Sequence, residues 1–158
     1  MSVEAGQPVP DFKLPSDTGN SVGPADFRGR KLVLYFYPKD DTSGCTLEAV
    51  EFTAKADDFA AAGAIVLGIS RDSVKIHAKF RSKHSLGIEL LSDEDGTVTE
   101  AFGVWVEKSM YGRRYWGVQR ATFIIGPDGK VKKALPKISP KKHDELVLDA
   151  LADLAPAS

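Results

Sequence analysis

The chain contains one cysteine, Cys45, inside the segment Tyr37-Pro38-Lys39-Asp40-Asp41-Thr42-Ser43-Gly44-Cys45-Thr46-Leu47-Glu48. A cysteine can serve as a nucleophile, and the thiolate rather than the thiol is the reacting form. A free thiol of pKa about 8.5 is only roughly 3% ionised at pH 7, and bringing it near 6 takes about 3.4 kcal/mol of differential stabilisation. In the first turn of a helix, unpaired backbone N–H groups and the helix dipole favour the anion. They supply about 0.3 to 1 kcal/mol, up to roughly 2 in a partly buried site. A fixed cation must supply the rest, and arginine suits the task because it stays charged and offers several donors in a rigid plane. The spacing of residues does not say which arginine. The competing reading is an inert core thiol, a common state for a lone cysteine.

The elements that would hold this segment follow from the hydrophobic pattern. Lys31 to Tyr37 (KLVLYFY) is a short apolar run ended by Pro38 and reads as a strand buried on both faces near the sheet centre. From Gly44 to Phe59 the period changes: Ala49, Phe52, Ala56, Phe59 and Ala60 fall at helical offsets, so one amphipathic helix is expected, ended at Gly63. Cys45 then lies just past the carboxyl end of a strand and in the first turn of a helix, the usual place for ligands in open α/β sheets. Ala64 to Ser70 reads as a second buried strand, Ser73 to His84 as a helix, Ile88 to Leu91 as a third strand and Thr97 to Phe102 as a short helix. Trp105 to Trp116 reads as an irregular stretch rich in aromatic and basic residues, a candidate docking or dimer surface or simply a rim of the fold. Arg120 to Ile125, the turn Gly126-Pro127-Asp128-Gly129 and Lys130 to Ala134 form a hairpin signal, and Lys141 to Leu154 a last helix. Residues 1 to 30, divided by Pro8, Pro10, Pro15 and Pro24, read as a loop with a short N-terminal hairpin. The expected fold is α/β, a central mixed β-sheet flanked by helices, with early strands parallel and the last two antiparallel.

Length and composition bound the function classes. At 158 residues the chain is expected to be a single domain over 1–158, with 42% hydrophobic and 27% charged residues as in ordinary soluble chains. With 21 Lys+Arg against 22 Asp+Glu, no net field favours nucleic acid or anionic lipid. The longest nearly apolar stretch, Phe59 to Ile69, is eleven residues with two glycines, too short for a membrane helix. The start, Met1-Ser2-Val3-Glu4-Ala5-Gly6, has neither a basic flank nor an apolar run, so a cytoplasmic location is expected. One cysteine allows no internal disulfide.

The pattern Pro38-x-x-x-Thr42-x-x-Cys45 resembles the active-site motif of the peroxiredoxins, and YFYPKDDTSGCTLEA is similar to the Q-type, or bacterioferritin comigratory protein, branch. The likeness continues through Gly68 to Ser73, Leu91-Ser92-Asp93, Phe102-Gly103-Val104 and Arg120 to Ile125. The resemblance implies a thioredoxin-like fold and peroxide reduction with Cys45 as the peroxidatic nucleophile. It implies that Thr42 and Arg120 bind and polarise the peroxide, and that Pro38 and Gly44 line a pocket from which Pro38 excludes water. Thr42 Oγ, the Cys45 amide and the Arg120 guanidinium are the expected donors to the reacting oxygens. Glu48, one helical turn beyond Cys45, is expected to orient Arg120. No cofactor is implied. The implied partners are a hydroperoxide and an external thiol such as thioredoxin, glutaredoxin or glutathione, the protein itself being a monomer or weak homodimer.

The sequence departs from the branch in two places. Relatives often carry a resolving cysteine five residues past the peroxidatic one, where Val50 stands, or in the helix after the second strand, which here has none; Ser43 replaces the usual proline before Gly44. A one-cysteine cycle is therefore expected, with α-helix unwinding for an internal disulfide unnecessary. The alternative is a peroxide sensor or holdase-type module on the same fold. A Cys/His hydrolase is disfavoured because no histidine lies in a segment placed beside Cys45. A thioredoxin-type reductase needs a cysteine where Glu48 stands. His77, His84 and His143 are expected to be helix-surface or partly packed residues with no acidic partner at metal spacing, so no metal site is expected. Lys137, Lys141 and Lys142 read as a solvated helix start.

Overall fold

The computed structural model describes residues 3–135 and 138–152. The chain begins with a two-residue hairpin, β1 (Leu14–Pro15) and β2 (Ser21–Val22), and a 3-10 turn over Pro24–Phe27. It continues through β3 (Lys31–Phe36), α1 (Ser43–Ala54), α2 (Ala56–Ala61), β4 (Ala64–Ser70), α3 (Val74–His84), β5 (Glu89–Ser92) and α4 (Thr97–Ala101). The second half is β6 (Trp105–Met110), β7 (Arg113–Val118), β8 (Ala121–Ile125), β9 (Val131–Leu135) and α5 (His143–Ala152).

Five strands form the central sheet in the order β5-β4-β3-β8-β9. The β3–β4 and β4–β5 pairs are parallel, and β8 and β9 join antiparallel. This is the mixed sheet that the pattern predicts, with β3 at its centre, and the thioredoxin-like fold that the resemblance implies. Strand alternation divides the core in two. Leu32, Leu34 and Phe36 face a cluster built with Val22, Val98, Phe102 and Phe123. Val33, Tyr35 and Tyr37 face Cys45, Phe52, Phe59, Phe80, Ile124 and Val147 on the other side. Both faces of β3 are covered, which is why its sequence is apolar throughout rather than alternating.

Three expectations are corrected. The single helix expected over Gly44–Phe59 is two, broken at Lys55 (φ −99°, ψ 13°), which places Asp57 and Asp58 in the first turn of α2 where the helix dipole favours them. Phe52 and Phe59 still pack together, with ring centroids 5.4 Å apart, so the apolar stripe survives the break. The stretch expected to be irregular lies in a regular antiparallel hairpin, β6–β7, turning on Tyr111 (φ +52°) and Gly112 (φ +79°) between the paired residues Met110 and Arg113. A two-residue turn with both φ positive is normally signalled by Asn-Gly or Asp-Gly; tyrosine in the first position hid it, and the mostly exposed faces leave no alternation to read. The last helix opens at His143 rather than Lys141. Lys137 and Leu154 lie outside the described residues.

No helix among the described residues is long and apolar enough to cross a membrane.

Candidate active site

The segment that carries Cys45 leaves the sheet centre and is held from below. Tyr37 N–H donates to the Ile69 carbonyl at 3.1 Å, extending the β3–β4 pairing by one residue before Pro38 stops it. The chain then bends under α3. The Asp40 amide donates to Asp72 Oδ2 at 2.8 Å, and the buried Asp40 carboxylate takes Tyr37 Oη–H at 2.5 Å and His77 Nδ1 at 2.5 Å. Asp41, in the left-handed region at φ +61°, faces Lys83 (2.7 Å) and His84 (3.0 Å) of the same helix.

Thr42 has the extended backbone of a helix N-cap, and the first helical bond runs from the Thr46 amide to the Thr42 carbonyl at 2.8 Å. The amides of Ser43, Gly44 and Cys45 precede that bond and have no intrahelical acceptor, which leaves three donors at the positive end of α1. The Thr42 hydroxyl donates to the Lys39 carbonyl at 2.9 Å. Its proton is thus committed to the loop, which does not fit the donor role expected of Thr42.

Cys45 is 1% exposed. Arg120, in the two-residue link from β7 to β8, donates from Nη2 to Cys45 Sγ at 3.4 Å and from Nη1 to Glu48 Oε1 at 2.6 Å. Burial works against the Arg120 charge, but the negative charges of Glu48 and Cys45 outweigh it and raise its pKa above the ordinary value. Gly44 permits this approach: a Cβ there would stand 3.2 Å from Pro140 Cγ and 3.3 Å from Arg120 Nη2. Pro38 is half-buried at the edge of the same loop. The structure therefore brings together Cys45, Glu48, Arg120 and Gly44, with Thr42 turned to the adjacent loop.

Two site features were not anticipated. His143, at the start of α5, is fully buried; Nδ1 is hydrogen-bonded to Glu48 Oε2 and Nε2 lies 2.5 Å from Thr122 Oγ1. Its ring stands edge-on to Tyr35 and Phe52 at 5.9 and 5.0 Å. His77 is equally buried between Asp40 and the Leu91 carbonyl, the latter at 2.9 Å from Nε2. Both contradict the reading of these histidines as surface or partly packed, and both partners lie far away in sequence, at separations of 37 and 95 residues. His143 thus stands three hydrogen bonds from the sulfur. One available signal was the two-residue spacing of Arg120, just before β8, and Thr122 within it, which in extended chain points both side chains the same way. Asp40, Asp72 and His77 place possible ligand atoms within 4.8 Å of one another, the acidic partners that the sequence did not reveal. Both Asp40 oxygens and Asp72 Oδ2 already accept protein hydrogen bonds, so the donor set does not fit a metal ion. Lys108 of β6 donates to the Val118 carbonyl at 2.6 Å, tying down the segment just before Arg120; burial, then Arg120, lower its pKa.

A mixed sheet of this topology, with a buried cysteine at a helix N-terminus under an arginine, defines a thiol-dependent redox enzyme on the thioredoxin-like fold. The AhpC/TSA family pattern matches residues 5–134. Peroxiredoxin Bcp of Bacillus subtilis is 41% identical over 155 residues, covering 98% of this chain and 99% of its own. The solved structure of Xanthomonas campestris peroxiredoxin Q superposes with a TM-score of 0.87 at 41% identity, covering 94% of this chain and 96% of that one. A second Xanthomonas campestris structure, of the bacterioferritin comigratory protein and described for its alkyl peroxide reduction activity, matches with a TM-score of 0.87 at 40% identity over 94% and 98% of the two chains. The chain belongs to the AhpC/TSA family and is a one-cysteine peroxiredoxin of the Q (Bcp) type, a thiol peroxidase.

Proposed function

We propose that Cys45 is the peroxidatic residue of this thiol peroxidase and that Arg120, Thr42 and the α1 amides hold the peroxide against it. The observation that carries this reading is Arg120 Nη2 at 3.4 Å from Cys45 Sγ at the open N-terminus of α1. The Cys45 thiolate attacks one peroxide oxygen; the S–O bond forms, the O–O bond breaks, and the leaving oxygen departs with its electron pair and takes a proton to become water or an alcohol. Arg120 and the Cys45 amide stabilise the charge that develops on the oxygens. Thr42 Oγ accepts the peroxide O–H, which fixes the attack line. Glu48 keeps the guanidinium in place, and Pro38 and Gly44 shape the pocket. The alkyl peroxide activity of the Xanthomonas relative supports organic hydroperoxides beside hydrogen peroxide as substrates.

The product, Cys45–SOH, is reduced by an external thiol: a mixed disulfide forms with release of water, and a second thiol frees Cys45. A chain whose only cysteine is Cys45, with Val50 at the resolving position, supports thioredoxin, glutaredoxin or glutathione as that reductant. An unpaired cysteine also suits the reducing cytoplasm. Two core clusters on opposite faces of one sheet support a single domain over 1–158. The exposed large apolar side chains are spread over α1, α3, α5 and the β6–β7 hairpin, which supports a monomer or weak homodimer.

Steady-state hydrogen peroxide and alkyl hydroperoxide consumption, run in parallel with the thioredoxin, glutaredoxin and glutathione systems, tests the reading. Turnover with at least one system, abolished by Cys45→Ser, is expected. Stoichiometric oxidation of Cys45 with no turnover under any reductant would instead favour a peroxide sensor or holdase.

A further inference from the structure

The Arg120–Glu48 pair has an unusual feature. A guanidinium and a carboxylate in contact commonly adopt the two-pronged arrangement, with two parallel N–H···O bonds. Here only one prong forms: Nη1 meets Glu48 Oε1 at 2.6 Å, and Nη2 turns to Cys45 Sγ at 3.4 Å. The second carboxylate oxygen, Oε2, is engaged by His143 Nδ1. The imidazole is itself fixed, because Nε2 lies 2.5 Å from Thr122 Oγ1 and the ring is packed edge-on against Tyr35 and Phe52.

We propose that His143 is a positioning residue for peroxide reduction: by occupying Glu48 Oε2 it confines the carboxylate to one arm of Arg120 and leaves the other arm for Cys45 and the peroxide. Without the imidazole donor, Oε2 turns to the nearest remaining cation, the two-pronged pair closes, and Nη2 is drawn off the sulfur. The carboxylate stays satisfied in that arrangement; what is lost is the direction of the guanidinium. This inference rests on the assignment of Arg120 to the reacting centre.

The test is the second-order rate of Cys45 oxidation by hydrogen peroxide, followed by stopped-flow tryptophan fluorescence in the full-length protein. His143→Leu is expected to react about tenfold more slowly, the size of effect that one misdirected charge-assisted hydrogen bond carries. The pair His143→Asn and His143→Gln separates positioning from bulk structure and serves equally if the leucine variant does not fold. The Asn side-chain amide puts an N–H donor where Nδ1 stood, whereas the Gln amide puts it near the position of Nε2. His143→Asn is therefore expected to restore the rate to within about twofold, with His143→Gln remaining slow. Arg120→Ala reports on the underlying assignment. If it is slow while His143→Leu, or His143→Gln, reacts at the wild-type rate, the role of His143 is overturned and that of Arg120 stands. Equal rates for His143→Asn and His143→Gln also overturn the positioning role. An Arg120→Ala variant reacting at the wild-type rate overturns both.

Discussion

The protein contains two fully buried imidazole–carboxylate pairs, one on each side of the start of α1, and they differ at the far ring nitrogen. His77 of α3 meets Asp40 with Nδ1 and the Leu91 carbonyl with Nε2. A carbonyl can only accept, so that ring donates at Nε2, and a proton on Nδ1 as well faces the Asp40 carboxylate. Burial alone would push the His77 pKa down; the Asp40 hydrogen bond and charge, with the Leu91 carbonyl, reverse this and raise it. His143 of α5 meets Glu48 with Nδ1 and the Thr122 hydroxyl with Nε2. A hydroxyl can donate as well as accept, and Glu48 has a second partner, Arg120, on its other oxygen. The same two functional groups thus serve two ends: one pair locks the loop before Cys45 onto α3, and the other directs the guanidinium that faces the sulfur.

The largest effect expected from this contrast is on stability at the His77 side. Asp40→Asn keeps the size of the side chain but removes the counter-charge from a ring with no solvent access, and losing one partner of a buried ion pair costs about 3 to 5 kcal/mol. Urea unfolding at pH 6 measures it. A loss below about 1 kcal/mol, the range of exposed pairs, would show that the Asp40–His77 contact is not ionic and would erase the distinction between the two pairs.

The second expectation concerns pH. Because folding raises the His77 pKa above its ordinary value of 6.5, the native state holds a proton that the unfolded chain releases. The stabilisation is fully present below pH 6.5 and is lost as pH rises through the folded value, with a slope of at most about 1.4 kcal/mol per pH unit for one proton. The difference in unfolding free energy between the wild type and Asp40→Asn should therefore narrow as pH rises through that window. A difference that stays constant from acid to alkaline pH would mean that no proton is taken up on folding at this site.

The sequence carried more of the fold than of the site. The β3 and β4 runs, the α3 boundaries and the β8–β9 hairpin were legible because both-faced burial and helical spacing leave marks within a few residues. So was Cys45 at the start of α1, since Pro38, Thr42 and Gly44 stand beside it in the chain. Arg120 came only through likeness to a family, and His143 and Thr122 did not come at all: their roles depend on contacts across 72 and 95 residues, which no local period encodes. His77 was misread for the same reason. Nothing near it in the chain says that Asp40 will lie against it. The β6–β7 hairpin shows the opposite failure, a local element without its local mark, because both faces are largely exposed and its turn uses tyrosine.

The smallest effect isolates burial from every other variable. Asp40 and Asp41 are neighbours in one loop, and both reach α3, but Asp41 meets Lys83 and His84 at the surface, with its side chain 45% exposed. The Lys83 and His84 hydrogen bonds, the larger first, lower the Asp41 pKa, yet solvent screens the pairs and ordering of the lysine side chain opposes them. Asn tolerates the left-handed backbone that Asp41 adopts at φ +61°, so Asp41→Asn removes the charge without adding strain. Its urea midpoint should lie close to that of the wild type, and the remaining difference should vanish at high salt, whereas the Asp40→Asn loss should persist there. A salt-insensitive loss at Asp41 comparable to that at Asp40 would show that the loop is held by its backbone course and not by the depth of one carboxylate.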